Sequence, residues 1–351
     1  MDVSRVLSLS LTDFRNFSKK AFSFDEKQTL VLGPNGIGKT NILEALHLLS
    51  TGKSFRAKLL ADCIREGMEA AHIDAVIAEE NDETKLHLTI AKSPTGHTVT
   101  HYKRNGAPKR RGDIAGALKS VIFRPEDLEL ISDGPSFKRE YLNDVLVQVS
   151  PQYSRSLRDY EKALRHRNKL ILQLREGQTT RREFVFWDTL LIKHGDVLTR
   201  ERGRLVHFIN DTVLFPIKGA LIYDHSLMTE ERLHQYAQAE VAAGKTLVGP
   251  HRDSLIVSFA LSKNKDDMQD VSRFGSRGQQ RMSVLWLKIA ALQFIEKETE
   301  VSPVLLLDDI FSELDEHNRE LVLSLFDNRQ VILTSAEDVS TLPLIATQVT
   351  L

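Results

Sequence analysis

The chain has 351 residues, 41% of them apolar, and a formal net charge of −1 with 27% charged side chains. At that length one hydrophobic core usually stops growing, so a large unit with a subsidiary lobe is expected. The single cysteine, Cys63, excludes an intramolecular disulfide and a cysteine-based zinc cluster, and the absence of both a roughly 20-residue apolar run and a signal-peptide pattern predicts a soluble, cytoplasmic chain with no membrane partner.

Leu7, Leu9 and Leu11 alternate with Ser8, Ser10 and Thr12 and predict a strand, followed by a second near residues 21–24. Residues 29–32 form a short β-prone run ending in Gly33 and Pro34, and residues 37–50 place Ile42, Leu43, Leu46 and Leu49 on one face of a helix. Two further strands, one with Ile73, Ala75 and Ile77 and one with Leu86, Leu88 and Ile90, flank a polar turn at 79–83 and fit an antiparallel sheet. From about 136 to 209 the pattern is helical, with breaks predicted at Gly177 and Gly195. A long helix at 279–298, an apolar strand at 304–307, a helix near 316–326 and a strand at 331–333 complete an α/β chain. The predicted organisation is an N-terminal part with the β subdomain (1–135), an inserted, mostly helical lobe (136–245) and a C-terminal α/β part (246–351).

Gly33-Pro34-Asn35-Gly36-Ile37-Gly38-Lys39-Thr40 matches G-x-x-x-x-G-K-[ST], between a strand and a helix as that phosphate loop requires. The glycines let backbone N–H groups converge on phosphate oxygens at a helix N-terminus. Lys39 is expected to reach the β- and γ-phosphates of ATP, and the hydroxyl of Thr40 to complete a Mg²⁺ shell, with Asn41 continuing the nucleotide-binding run. The apolar strand ends in Asp308 and Asp309. A buried parallel strand delivers such residues to the crevice holding the phosphates. Asp308 is the candidate Mg²⁺ residue, and Asp309 the candidate base for the attacking water or, alternatively, a helix cap.

Positive charge is blocked rather than spread. Lys103, Arg104, Lys109, Arg110, Arg111 and Lys119 face only Asp113 between residues 101 and 119, and a second basic block runs from 155 to 182. Either is a polyanion-facing surface or a solvated face.

Three further motifs narrow the class. Phe274-Gly275-Ser276-Arg277-Gly278-Gln279-Gln280-Arg281 resembles the signature of ABC-type ATPases, and Ser312-Glu313-Leu314-Asp315 resembles their D-loop. With Phe14-Arg15-Asn16-Phe17, Thr51-Gly52-Lys53-Ser54-Phe55-Arg56, Phe123-Arg124-Pro125-Glu126-Asp127-Leu128 and Gly249-Pro250-His251-Arg252-Asp253, the chain is similar over essentially its whole length to the RecF family of bacterial recombination mediators. The resemblance implies an ABC-type P-loop ATPase head related to SMC heads, working as an ATP-dependent homodimer on duplex DNA. Ser276, Gly278 and Gln279 would then act across the dimer on the partner's ATP, and Asp315 would help join the halves. It further implies weak DNA-stimulated hydrolysis serving as a timer, loading of recombinase at single-strand gaps, and RecR, RecO and RecA as pathway partners. Other assemblies that use such a head, transporter-like or SMC-like, are the alternative. Arg277 stands where many relatives have Gln, Asp309 where transporters have Glu, and Thr334 and Ser335 where they have a switch histidine. The γ-phosphate sensor and the Q-loop residue stay open, as does the choice between a surface role and a structural one for His251 and Arg252.

Overall fold

The computed structural model describes residues 2–79, 82–93, 96–212, 219–260, 268–312, 314–336 and 347–351. The chain forms two compact units, one from Met1–Asp127 with Ala291–Leu351 and one from Leu128–Ala290.

Among the described residues the first unit contains two large sheets and a two-stranded one that pairs Asp2–Val3 with Val301–Ser302. Its five-stranded sheet is parallel throughout, in the spatial order Thr347–Thr350, Gln28–Leu32, Val331–Ser335, Val304–Asp308, Ser120–Phe123. Val304, Leu305, Leu306 and Leu307 are wholly buried, which is why that strand is a continuous apolar run rather than an alternating one. The six-stranded sheet is antiparallel, in the order Phe17–Ser23, Arg5–Phe14, Ala70–Glu79, Asp82–Lys92, Thr98–Arg104, Ala107–Lys109. Here the apolar residues alternate as read from the sequence. Leu9, Leu11, Ile73, Ile77, Leu86 and Leu88 join Ile42 and Leu46 of the helix Lys39–Thr51 in one core. That helix buries every residue but Thr40. The last hairpin turns at Asn105 and Gly106, both at positive φ (51° and 79°), as a two-residue turn matching the strand twist requires.

The second unit is built on the helices Pro135–Val149, Pro151–Arg175 and Val185–Thr212 with a three-stranded antiparallel sheet, Gly219–Asp224, Ser254–Ala260, Met268–Asp270. Ser150 starts the second helix by accepting from the Tyr153 N–H, with Pro151 at the first helical position. The break near Gly177 is present, but the break expected at Gly195 is not, because Val185–Thr212 continues through it. A Cβ at Gly195 would lie 3.1 Å from Met228 and 3.4 Å from Tyr160, so this glycine permits close packing rather than ending a helix.

The compact units divide at 127/128 and 290/291. Residues 246–290 pack with the helices because Ser254–Ala260 pairs with Gly219–Asp224. The boundaries at 135 and 245 drawn from the sequence separate segments rather than compact units and are kept as a proposal. The helix Arg277–Thr299 gives its first part to the second unit and its end to the first. Among the described residues no helix is long and apolar enough to cross a membrane.

Candidate functional site

The phosphate loop leaves the strand Gln28–Leu32 at Gly33, whose N–H donates to the Ser335 carbonyl at 3.3 Å. Gly36 and Gly38 take φ of 82° and 117°, backbone that a β-carbon strains. At Gly38 a Cβ would also come within 2.8 Å of both Asn16 Oδ1 and Phe17, whereas at Gly36 it would meet nothing within 4 Å. Pro34, Asn35, Gly36 and Ile37 are exposed while Lys39 is buried. The Lys39 ammonium donates to the loop's own acceptors, the Gly33 carbonyl at 2.6 Å, the Pro34 carbonyl at 3.2 Å and Asn35 Oδ1 at 3.4 Å. The cation is thus held inside the curve of the loop, where it can exchange carbonyls for phosphate oxygens.

The two aspartates arrive at the end of Val304–Asp308, one strand beyond Val331–Ser335, which pairs with the loop strand. Asp308 Oδ1 accepts from Thr40 Oγ1 at 3.0 Å and from Thr334 Oγ1 at 2.7 Å. Its carboxyl is raised above the ordinary aspartate range by burial, the two hydroxyl donors oppose that, and the negative charges of Glu126 and Asp309 add to it. Asp309 has φ of 50°, a left-handed conformation that aspartate tolerates better than most residues. Its N–H is shared between the Thr334 carbonyl (3.1 Å) and hydroxyl (3.2 Å), so Thr334 ties the two aspartates together. No group of three His, Cys, Asp or Glu side chains among the described residues could hold a metal alone. One hydroxyl and one carboxylate as hard oxygen donors suit Mg²⁺, which takes its other ligands from phosphates and water.

Residues outside the loop and the aspartate pair also shape this site. Arg15, at φ 54°, reaches the wholly buried Glu44 of the loop helix through Nε at 2.8 Å and Nη2 at 2.5 Å. Ser54 Oγ donates to the same carboxylate, and Cys63, its thiol pushed up to about 12 by burial and by Glu44, lies beside it. Asn16 donates to the Ile37 carbonyl at 2.7 Å and accepts from Asn41 Nδ2 at 2.8 Å, while Asn41 Oδ1 accepts from Arg56 at 2.9 Å. The Asn41 side chain and its N–H, bonded to the Gly38 carbonyl, are therefore committed to the shape of the loop. Glu126 belongs with these residues. The pairing of Phe123 with Leu307 sets the end of Ser120–Phe123 beside that of Val304–Asp308, and the Glu126 charge acts on Asp308. The signal in the sequence is the run of motifs around these residues, which points to a resemblance without specifying a contact.

In the second unit Ser276 and Gln279 form a reciprocal cap on the helix Arg277–Thr299. The Ser276 N–H donates to Gln279 Oε1 at 2.7 Å and the Gln279 N–H to Ser276 Oγ at 3.3 Å. Ser276, Arg277 and Gly278 are exposed at this helix start, where N–H groups and the helix dipole favour an anion. Asp315 caps the helix Glu316–Leu323 through the Asn318 N–H (2.8 Å) and side-chain amide (3.0 Å), and Ser312 Oγ donates to the Asp309 carbonyl at 2.9 Å. Glu313 lies outside the described residues.

The basic block of 103–111 does not make one face. The pairings of Tyr102 with Lys109, Lys103 with Pro108 and Arg104 with Ala107 put Arg104 and Lys109 on one side of the hairpin and Lys103 on the other. Lys103 lines a groove of about 470 Å³ on the solvent side of the antiparallel sheet, with Asp74, Lys85 and His87. Arg110 is exposed, and Arg111 lies over Gly52, where a Cβ would come within 2.5 Å of its Nε. In the second block Arg167 is buried against Asp188 and Glu240, whereas Arg155, Lys162, Arg165 and Lys169 are exposed.

The profile of the family described as RecF/RecN/SMC N terminal domain matches residues 5–342. The chain is 33% identical over 342 residues to the DNA replication and repair protein RecF of Lachnoclostridium phytofermentans, covering 94% of this chain and 92% of that one. It is 34% identical to the RecF of Cyanothece sp. over 93% of this chain and 90% of that one. A solved structure of the recombination mediator protein RecF-ATP in the RecFOR pathway superposes with a TM-score of 0.84 at 28% identity, covering 96% of this chain and 93% of that one. The Smc head domain of Pyrococcus furiosus, at 18% identity and a TM-score of 0.51, shares the fold. With its sequence, its fold and its phosphate loop in agreement, the chain belongs to the RecF family of DNA replication and repair proteins.

Proposed function

We propose that this protein binds ATP and Mg²⁺ through residues 33–41, Thr40 and Asp308, closes as an ATP-dependent homodimer on duplex DNA, and hydrolyses ATP slowly, at a rate stimulated by DNA. The observation that carries the reading is the convergence of Lys39, Thr40, Asp308 and Asp309 from two parallel strands that flank Val331–Ser335, with Thr40 and Asp308 3.0 Å apart. The solved relative named for RecF-ATP supports the nucleotide, and its RecFOR pathway supports RecR and RecO as partners; the outcome proposed is the loading of RecA at gaps.

Mg²⁺, when bound, neutralises phosphate charge. The rest falls to side chains. Lys39 donates to the β- and γ-phosphates, Asp309 accepts the proton of the attacking water, and Thr334 holds both aspartates in place. Ser276, Gly278 and Gln279 present the N-terminal end of their helix to the γ-phosphate of a second copy, with Asp315 at the seam.

The test is ATP turnover with and without duplex DNA, alongside sedimentation with an ATP analogue. Stimulation by DNA together with an analogue-dependent dimer is expected. Turnover indifferent to DNA and a monomer under all conditions would assign the head to another assembly.

A further inference from the structure

The segment Gly249-Pro250-His251-Arg252-Asp253 is locked at every position but one. Gly249 has φ of 116°, and a Cβ there would lie 2.3 Å from Met228 and 2.5 Å from Tyr160. Pro250 is buried, and its carbonyl accepts from Arg202 Nη1 at 2.8 Å. His251 pairs Nδ1 with the Tyr160 hydroxyl at 2.7 Å and Nε2 with the Thr246 carbonyl at 3.1 Å. Burial pulls the imidazole down to about 4, so it is neutral at physiological pH. Asp253 is fully buried and accepts from Arg202 Nη1 (2.7 Å), the Tyr223 hydroxyl (2.5 Å) and the Ser226 N–H (2.8 Å).

Arg252 alone is exposed, and among the described residues it forms no ion pair. Beside it the Arg139 guanidinium is fixed by donation to the Asp253 carbonyl at 2.8 Å. Arg139 is lowered from its ordinary value by burial and by the charges of Arg202 and Arg252, against a single opposing carboxylate, Asp253. Since Asp253 is already bonded to Arg202, the turn holds guanidinium groups together without a counter-charge of their own. Such an arrangement is unfavourable until an anion arrives, and two planar forks, one anchored on the Asp253 carbonyl and one free to turn, match the oxygens of a phosphate.

We propose that Arg252, with Arg139 beside it, is a clamp for a backbone phosphate of duplex DNA. The clamp rests on the DNA-binding reading above and adds to it a site in the second unit. It reads no base, so it holds DNA of any sequence.

Titration of duplex DNA over a range of salt concentrations tests it, using the full chain, Arg252→Gln, Arg252→Lys and the double variant Arg139→Gln/Arg252→Gln. For the double variant the log–log slope should fall by about 0.9, the worth of one phosphate contact, and Arg252→Gln should give most of that fall. Arg252→Lys should keep most of the slope, while in Arg252→Gln ATP affinity stays unchanged and the thermal midpoint does not fall. Duplex binding by the parent with an unaltered slope in Arg252→Gln would overturn the clamp and leave the DNA reading standing. Loss of ATP-dependent dimerisation with an unaltered slope would assign the guanidinium to a second copy and also overturn it. A parent that binds no duplex would overturn both.

Discussion

The hydroxyl of Thr334 donates to Oδ1 of Asp308 at 2.7 Å, and the same oxygen accepts from Thr40 at 3.0 Å. Two neutral donors do not offset the burial of this carboxylate, whose pKa stays above its ordinary value. Between the ordinary and the raised value the folded chain holds a proton that the unfolded chain has lost, so stability is greatest below that window and falls as pH rises through it. Asp308→Asn should therefore raise the thermal midpoint of the nucleotide-free protein at neutral pH, by roughly 2–4 °C for each kcal/mol. It should also lose most of the further rise that Mg²⁺ and ATP give the parent. Thermal melts at pH 5 and pH 8 with and without nucleotide check both, and equal midpoints at pH 8 would show that the carboxylate is not held under strain.

Lys39→Ala should weaken ATP binding by about 10- to 100-fold, the usual worth of charge-assisted hydrogen bonds. Lys39→Arg should bind better than Ala yet turn over poorly, because a planar fork cannot occupy the place of an ammonium that fits inside the loop. Titration with a fluorescent ATP analogue measures the first effect and steady-state turnover the second.

Asp309→Asn keeps Asp308 and Thr40 but removes the proton acceptor, so hydrolysis should slow by ~10²-fold or more. ATP should still favour the dimer, which should then leave DNA more slowly after dilution into unlabelled duplex. Slow turnover with normal release would separate hydrolysis from residence time.

Ser276 both caps a helix and faces outward, so its variants must separate the two roles. Ser276→Arg should abolish the analogue-dependent dimer in sedimentation while leaving ATP binding by the monomer intact. Ser276→Ala should lose ~1 kcal/mol of stability through the cap. A dimer of parental affinity in Ser276→Arg would place the interface elsewhere.

Neutralising Arg104, Lys109, Arg110 and Arg111 should flatten the salt dependence of duplex binding by at most about 0.9 for each DNA phosphate that no longer has a cation beside it. The hairpin register puts Arg104 and Lys109 on one side, so a double variant of these two should give most of the effect. An unchanged slope would make this block a solvated loop.

The parts of the site that depend on chain-local chemistry are legible in the sequence: a glycine-rich turn between strand and helix, and an apolar strand ending in carboxylates. What is not legible depends on partners far away along the chain. Asn16 closes on Ile37, Arg15 on Glu44, and Thr334 on Asp308, 26 positions before it. No periodicity carries such information, because each of these pairings is set by how the sheets pack. Gly195 misleads for the same reason, since a glycine chosen for close packing and one chosen to end a helix look alike until Met228 and Tyr160 are in place. In residues 103–111 the charges are plain from the sequence, but the strand register that divides them is invisible there.

The strand feeding the phosphate loop, Gln28–Leu32, is flanked on both sides by strands from the far end of the chain, Val331–Ser335 and Thr347–Thr350, and the Leu351 N–H closes on the Leu32 carbonyl at 3.0 Å. In vectorial synthesis the ribosome must add about 300 residues between the loop strand and its first neighbour, some 15–60 s at 5–20 residues per second. Throughout that interval the loop lacks its flanking strands, and for most of it the aspartates as well. A half-made chain thus lacks the sheet that holds the phosphate loop in place.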